Sequence, residues 1–122
     1  MKTLAPILCC LILLSACTVD VEPVLTAELS HSLPGPGVPT TPLTLGQCQS
    51  LSKWLSVHSD GWAPSPASYM PSLAVTLHHA DSSTTKLMVL DTFVVIAKGK
   101  EQYTRNVEAD DLATLRALLV AP

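Results

Sequence analysis

The side chains able to do chemistry in this chain are few: four cysteines, four histidines and the carboxylates close to them. His78 and His79 are adjacent, and Asp81 follows two positions later, which invites a metal site or a histidine–carboxylate pair. Neighbouring residues on a strand point to opposite faces, so two consecutive imidazoles diverge instead of converging on one ion. Neither has a second histidine or a cysteine at ligand spacing. Extending the alternation of the residues before them turns His79 inward and His78 outward, and both then read as polar residues at the edge of a sheet. His79 with Asp81 is the pair a small hydrolase would use, since an imidazole beside a carboxylate can serve as a general base. The serines carry no G-x-S-x-G elbow. Pro34-Gly35-Pro36-Gly37 lacks the strand-to-helix setting of a phosphate loop. Cys48 falls on the apolar side of an expected helix, where cysteine serves as a small hydrophobe. No catalytic residue and no metal ligand is assigned on these grounds.

Cys17 has a more specific setting. It closes the segment MKTLAPILCCLILLSAC, in which Lys2 supplies a positive start and Leu4 to Leu14 an apolar run. The run is too short to cross a bilayer core, which takes about 20 residues, and it suits a signal peptide. Leu14-Ser15-Ala16-Cys17 resembles the lipobox of bacterial lipoproteins: a branched apolar residue, two small residues, then a cysteine. The resemblance covers the first 17 residues only. It implies cleavage before Cys17, a diacylglyceryl group on the thiol and often a further acyl chain on the freed amine. Two or three chains anchor firmly, at about 0.8 kcal/mol per buried CH₂. Thr18 and Val19 follow the cysteine, and Asp20 comes too late for the usual inner-membrane retention signal. The resemblance therefore implies a lipid-anchored protein of the bacterial cell envelope, in the outer membrane and facing the periplasm. Apart from the lipid on Cys17, no cofactor is expected.

Removal of residues 1–16 takes Lys2 away and leaves six basic against ten acidic side chains. No basic stripe is present to neutralise phosphates, so nucleic acid is not an expected partner. No polybasic segment flanks the anchor either, which leaves lipid as the means of membrane attachment. Cys9 and Cys10 leave with the leader, so Cys48 is the one candidate free thiol and no intrachain disulfide can form.

These residues need elements to position them. Residues 17–43 read as the lipidated cysteine and a proline-rich tether, because Pro23, Pro34, Pro36, Pro39 and Pro42 interrupt helices and central strands. The folded domain is expected over 44–122. Thr44 and Gln47 fit a capping box, and Leu45, Cys48, Leu51 and Leu55 form an apolar helical face with Trp54 beside them. Asp60-Gly61 is the expected stop. The stretch from Gly61 to Pro71 reads as a loop holding Trp62 and Tyr69, which either line a binding lip or fold over the core edge. From Ser72 the period becomes two, giving strands near 73–78, 85–90, 93–97 and 102–106 in an antiparallel meander. Leu112, Leu115 and Leu119 then face inward from a final helix. The expected fold is α+β: a small two-layer sandwich ordered helix, antiparallel meander of three to four strands, helix.

A lipid anchor, a tether and a small domain without a catalytic constellation suit a non-enzymatic protein-binding module with an envelope protein as partner. It would be an inhibitor or immunity-type lipoprotein, or an accessory subunit of an envelope machine such as a secretion system. The alternatives are cell-wall or glycan contact through Trp62 and Tyr69, and a small hydrolase using His79 and Asp81.

Overall fold

The computed structural model describes residues 18–120, so the expected signal peptide and the expected lipobox residues Leu14, Ser15, Ala16 and Cys17 lie outside the described residues. Two helices and a seven-stranded antiparallel sheet make up the described part, an α+β fold. The strands are β1 (Thr26–Ser30), β2 (Thr41–Pro42), β3 (Ala63–Pro64), β4 (Leu73–His78), β5 (Thr84–Val89), β6 (Phe93–Lys98) and β7 (Glu101–Asn106). The helices are α1 (Leu45–Val57) and α2 (Ala109–Val120). The sheet order is β2-β1-β4-β5-β6-β7-β3.

The four-strand meander β4 to β7 follows the period-two pattern of its sequence. Leu73, Val75 and Leu77 enter the main core with Leu87, Val89, Val94 and Ile96, whereas Ala74, Met88 and Val95 form a small cluster of their own. Alternation along each strand separates the two sets. Gly99, at φ 59, turns the β6–β7 hairpin in two residues, a conformation that glycine adopts without strain.

Both helices cover the main core, through Cys48, Leu51, Trp54 and Leu55 from α1 and Leu112, Leu115 and Leu119 from α2. The capping box is formed: Gln47 N–H donates to Thr44 Oγ1 at 3.1 Å, and Thr44 N–H donates to Gln47 Oε1 at 2.8 Å. Gln47 Nε2 also donates to the carbonyls of Leu118 and Leu119, so the start of α1 satisfies the end of α2. At the opposite end of the pair, His58 Nε2 lies 3.4 Å from Asp111 in the first turn of α2. The helices therefore run antiparallel and are tied at both ends. Replacing Thr44 with alanine is expected to cost about 1 kcal/mol. That is a drop of about 4–8 °C in thermal unfolding of a chain starting at Thr18, and an unchanged midpoint would show the cap to be idle.

Several expectations are corrected. The sheet has seven strands among the described residues, not three or four. Residues assigned to a tether belong to the body: β1 pairs along its whole length with β4, and Val19, Val24, Ala27 and Leu29 are buried in the main core. Local composition obscured this because the hydrogen-bonding partner of β1 lies far along the chain. Leu45, expected on the apolar face of α1, is 69% exposed, whereas Cys48, Leu51 and Leu55 of that face are buried. The helix also ends before Asp60-Gly61. His58 closes it, with both its backbone N–H and its ring Nδ1 bonded to the Trp54 carbonyl. Gly61, at φ 82, instead bends the chain into β3. The two edge strands, β2 and β3, each hold two residues, one of them proline.

Candidate functional site

Within the described residues, His78, His79, Asp81, Cys48, Trp62 and Tyr69 each have a definite place, whereas Cys17 lies outside them. His78 lies on the outer side of β4 and pairs with Glu28 across the β1–β4 ladder, both side chains being part-exposed. His79 is buried. Its Nδ1 is 3.1 Å from the Pro23 carbonyl, and its Nε2 is 2.8 Å from Thr85 Oγ1. A carbonyl only accepts, so Nδ1 carries a proton and donates. In the neutral ring Nε2 then accepts from the Thr85 hydroxyl. Nδ1 thereby holds the 18–25 segment, and Nε2 fixes the ring to β5. The inward and outward directions expected for the two histidines are the ones observed.

Asp81 does not orient His79 through a hydrogen bond. Its Oδ1 accepts from Ser83 Oγ at 2.5 Å and from Ser83 N–H at 2.9 Å, closing its own turn. These two bonds, the hydroxyl first, hold the Asp81 carboxyl below its ordinary value. Among the described residues, no group of three or more histidine, cysteine or acidic side chains is placed to hold a metal ion.

Trp62 does not line a lip. It is 1% exposed, and its Nε1 donates to the His58 carbonyl at 2.7 Å, so the ring fills the core beyond the end of α1. Tyr69 is half-buried. Its hydroxyl is 2.6 Å from Ser65 Oγ, and its ring packs edge-on against Phe93 with centroids 5.3 Å apart. The two aromatics thus serve different cores, Tyr69 bordering the small outer cluster. A sugar-stacking pair is not formed, because Trp62 has no free face.

Cys48 is buried on α1 and is a free thiol. Burial pushes its pKa above the usual thiol value, since a thiolate there loses hydration. A group whose folded pKa is raised contributes stability that is complete below its unfolded pKa, near about 8.5, and is lost as pH rises further. A chain starting at Thr18 should therefore react with a thiol reagent at least about 100-fold more slowly folded than in denaturant. Its stability should also decline above about pH 8.5 relative to a Cys48→Ala variant. Equal labelling rates in both states would place the thiol at the surface.

Sequence reasoning missed a surface feature between the helices. Trp54, Val57 and His58 of α1 and its end, with Thr114 and Leu118 of α2, line an open apolar groove of about 260 Å³. Trp54 stacks on His58 at a centroid distance of 3.9 Å, and Trp54 Nε1 is buried without a hydrogen-bond partner among the described residues. On α1 the groove residues Trp54 and Val57 stand among polar Ser50 and Lys53, so local apolar spacing did not announce it.

The fold and these positions define a small α+β domain in which His79 and Cys48 are buried and His78 stays part-exposed beside Glu28. No family model matches the chain, and neither a curated protein nor a solved structure is significantly similar to it.

Proposed function

We propose that this protein is a membrane-anchored lipoprotein of the bacterial envelope, lipidated at Cys17 and acting there as a non-enzymatic protein-binding module. The observation that carries the reading is the apolar run ending in Leu14-Ser15-Ala16-Cys17. No described helix is long and apolar enough to cross a membrane, so anchoring on this reading falls to lipid. The non-enzymatic part is supported by the engagement of His79 with Pro23 and Thr85, and of Asp81 with Ser83. The outer membrane, periplasmic side, is the proposed location, since Thr18 follows the cysteine.

Cys17→Ser tests the anchor. The variant is expected to leave the membrane fraction and to lack the diacylglyceryl mass, whereas the parent protein stays with membranes through high-salt washing. A variant that still sediments with membranes at the parent mass would overturn the reading. Crosslinking in intact cells, then solubilisation and mass spectrometry, separates the two kinds of partner. One soluble enzyme points to an inhibitor or immunity role, and a multi-subunit assembly to an accessory subunit. Recovery of neither across growth conditions counts against the binding role.

A further inference from the structure

The segment that follows the proposed lipid site does not lead away from the folded body. Residues 18–25 have no regular secondary structure, yet they are strapped to the domain along their length. Val19 N–H donates to the Ser59 carbonyl at 2.7 Å, and Lys98 Nζ donates to the Asp20 carbonyl at 2.7 Å. The Pro23 carbonyl accepts from His79, Val24 N–H donates to Ser52 Oγ at 2.9 Å, and Leu25 N–H donates to the His78 carbonyl at 2.8 Å. Val19 is 5% exposed and Val24 8%, so the strap is also held by burial.

From these contacts we infer that the domain sits directly on the bilayer with no spacer, in one orientation, the strapped end toward lipid. The inference rests on lipidation of Cys17. Two trans peptide units separate Cys17 from Val19, which limits their Cα atoms to about 7 Å. A folded body of this size has a radius of gyration of about 13 Å, so an anchor that short brings its surface to the headgroups. A free linker of the same composition as residues 18–43 would instead reach several tens of ångströms, at about 3 Å per residue.

The topology defines which end is down. The strap meets the sheet at His78, His79 and Lys98, the end that carries the 79–83 and 99–100 turns. The antiparallel register places Asp91 in the turn between β5 and β6, at the opposite end. Six-residue strands separate the two ends by about 20 Å.

The test uses the full lipidated protein, extracted from membranes and reconstituted into phosphatidylethanolamine–phosphatidylglycerol vesicles that contain nitroxide-headgroup lipid. A fluorophore is attached through Lys100→Cys or Asp91→Cys, both at exposed positions, with the buried Cys48 left in place. The Lys100→Cys label is expected to be quenched at least about three-fold more than the Asp91→Cys label, since nitroxide quenching falls off over a distance shorter than the separation of the ends. Insertion of a twenty-residue Gly/Ser segment between Thr18 and Val19 should abolish the difference. Equal quenching in the uninserted protein, with the lipid mass present on Cys17, overturns the seating and leaves the lipoprotein reading intact. Absence of the lipid mass overturns both.

Discussion

A chain that begins at Thr44 is expected to remain unfolded, whereas one that begins at Thr18 folds. The shorter chain keeps both helices and the four-strand meander, the whole of the domain that local patterning delimits. It loses β1, which pairs with β4 over Thr26 to Ser30, and with it the burial of Val19, Val24 and Leu29. At about 1.5–3 kcal/mol for each buried aliphatic side chain, these three account for about 5–9 kcal/mol. A small domain has only about 5–15 kcal/mol in total. Removing β1 also bares Val75 and Leu77 on β4 and leaves the ring of His79 without the Pro23 carbonyl. Far-UV circular dichroism with urea titration decides the matter: a cooperative transition from Thr44 onward, with a midpoint near that of the longer chain, would refute the claim.

Trp62→Ala should be the most damaging single substitution among the aromatics. The ring is buried, and its N–H satisfies a carbonyl left over at the end of α1. Truncation of a buried tryptophan costs about 3–5 kcal/mol, which for a domain of this size is a fall of about 12 °C or more in Tm. Tyr69→Phe serves as the contrast. It removes one hydroxyl that bonds to Ser65 and should cost about 0.5–1.5 kcal/mol. Differential scanning calorimetry on the two variants, each in a chain starting at Thr18, measures both. Comparable small shifts would mean that Trp62 is a surface residue after all, and would restore the idea of a loop that presents two rings to a ligand.

The parts of the fold that were legible in sequence are those whose reasons are local. Thr44 and Gln47 are three residues apart and cap each other, so their types announce the start of α1. The meander shows in the alternation from Leu73 onward, and the same alternation correctly turned His79 in and His78 out. What stayed hidden depends on distant partners. Thr26 to Ser30 alternates too, with Ala27 and Leu29 inward, but the run is short and prolines surround it. Its reason for being a strand is β4, which no local window contains. Trp62 is a similar case: a tryptophan among prolines and glycine reads as loop, and it is burial in the main core, among residues far along the chain, that takes its ring out of solvent. The groove beside Trp54 needed two helices in register before it existed at all.

Both outermost strands are two residues long and contain a proline, Pro42 in β2 and Pro64 in β3. A proline offers no amide hydrogen to an incoming chain, and a strand so short gives a would-be neighbour almost nothing to align against. On the proposed membrane anchoring, neighbours held in a plane would collide far more often than in free solution, and this feature would close the easiest route to ladders and fibres. It also narrows how any other protein can approach: contact must be made through side chains on a broad surface, not by lengthening the sheet.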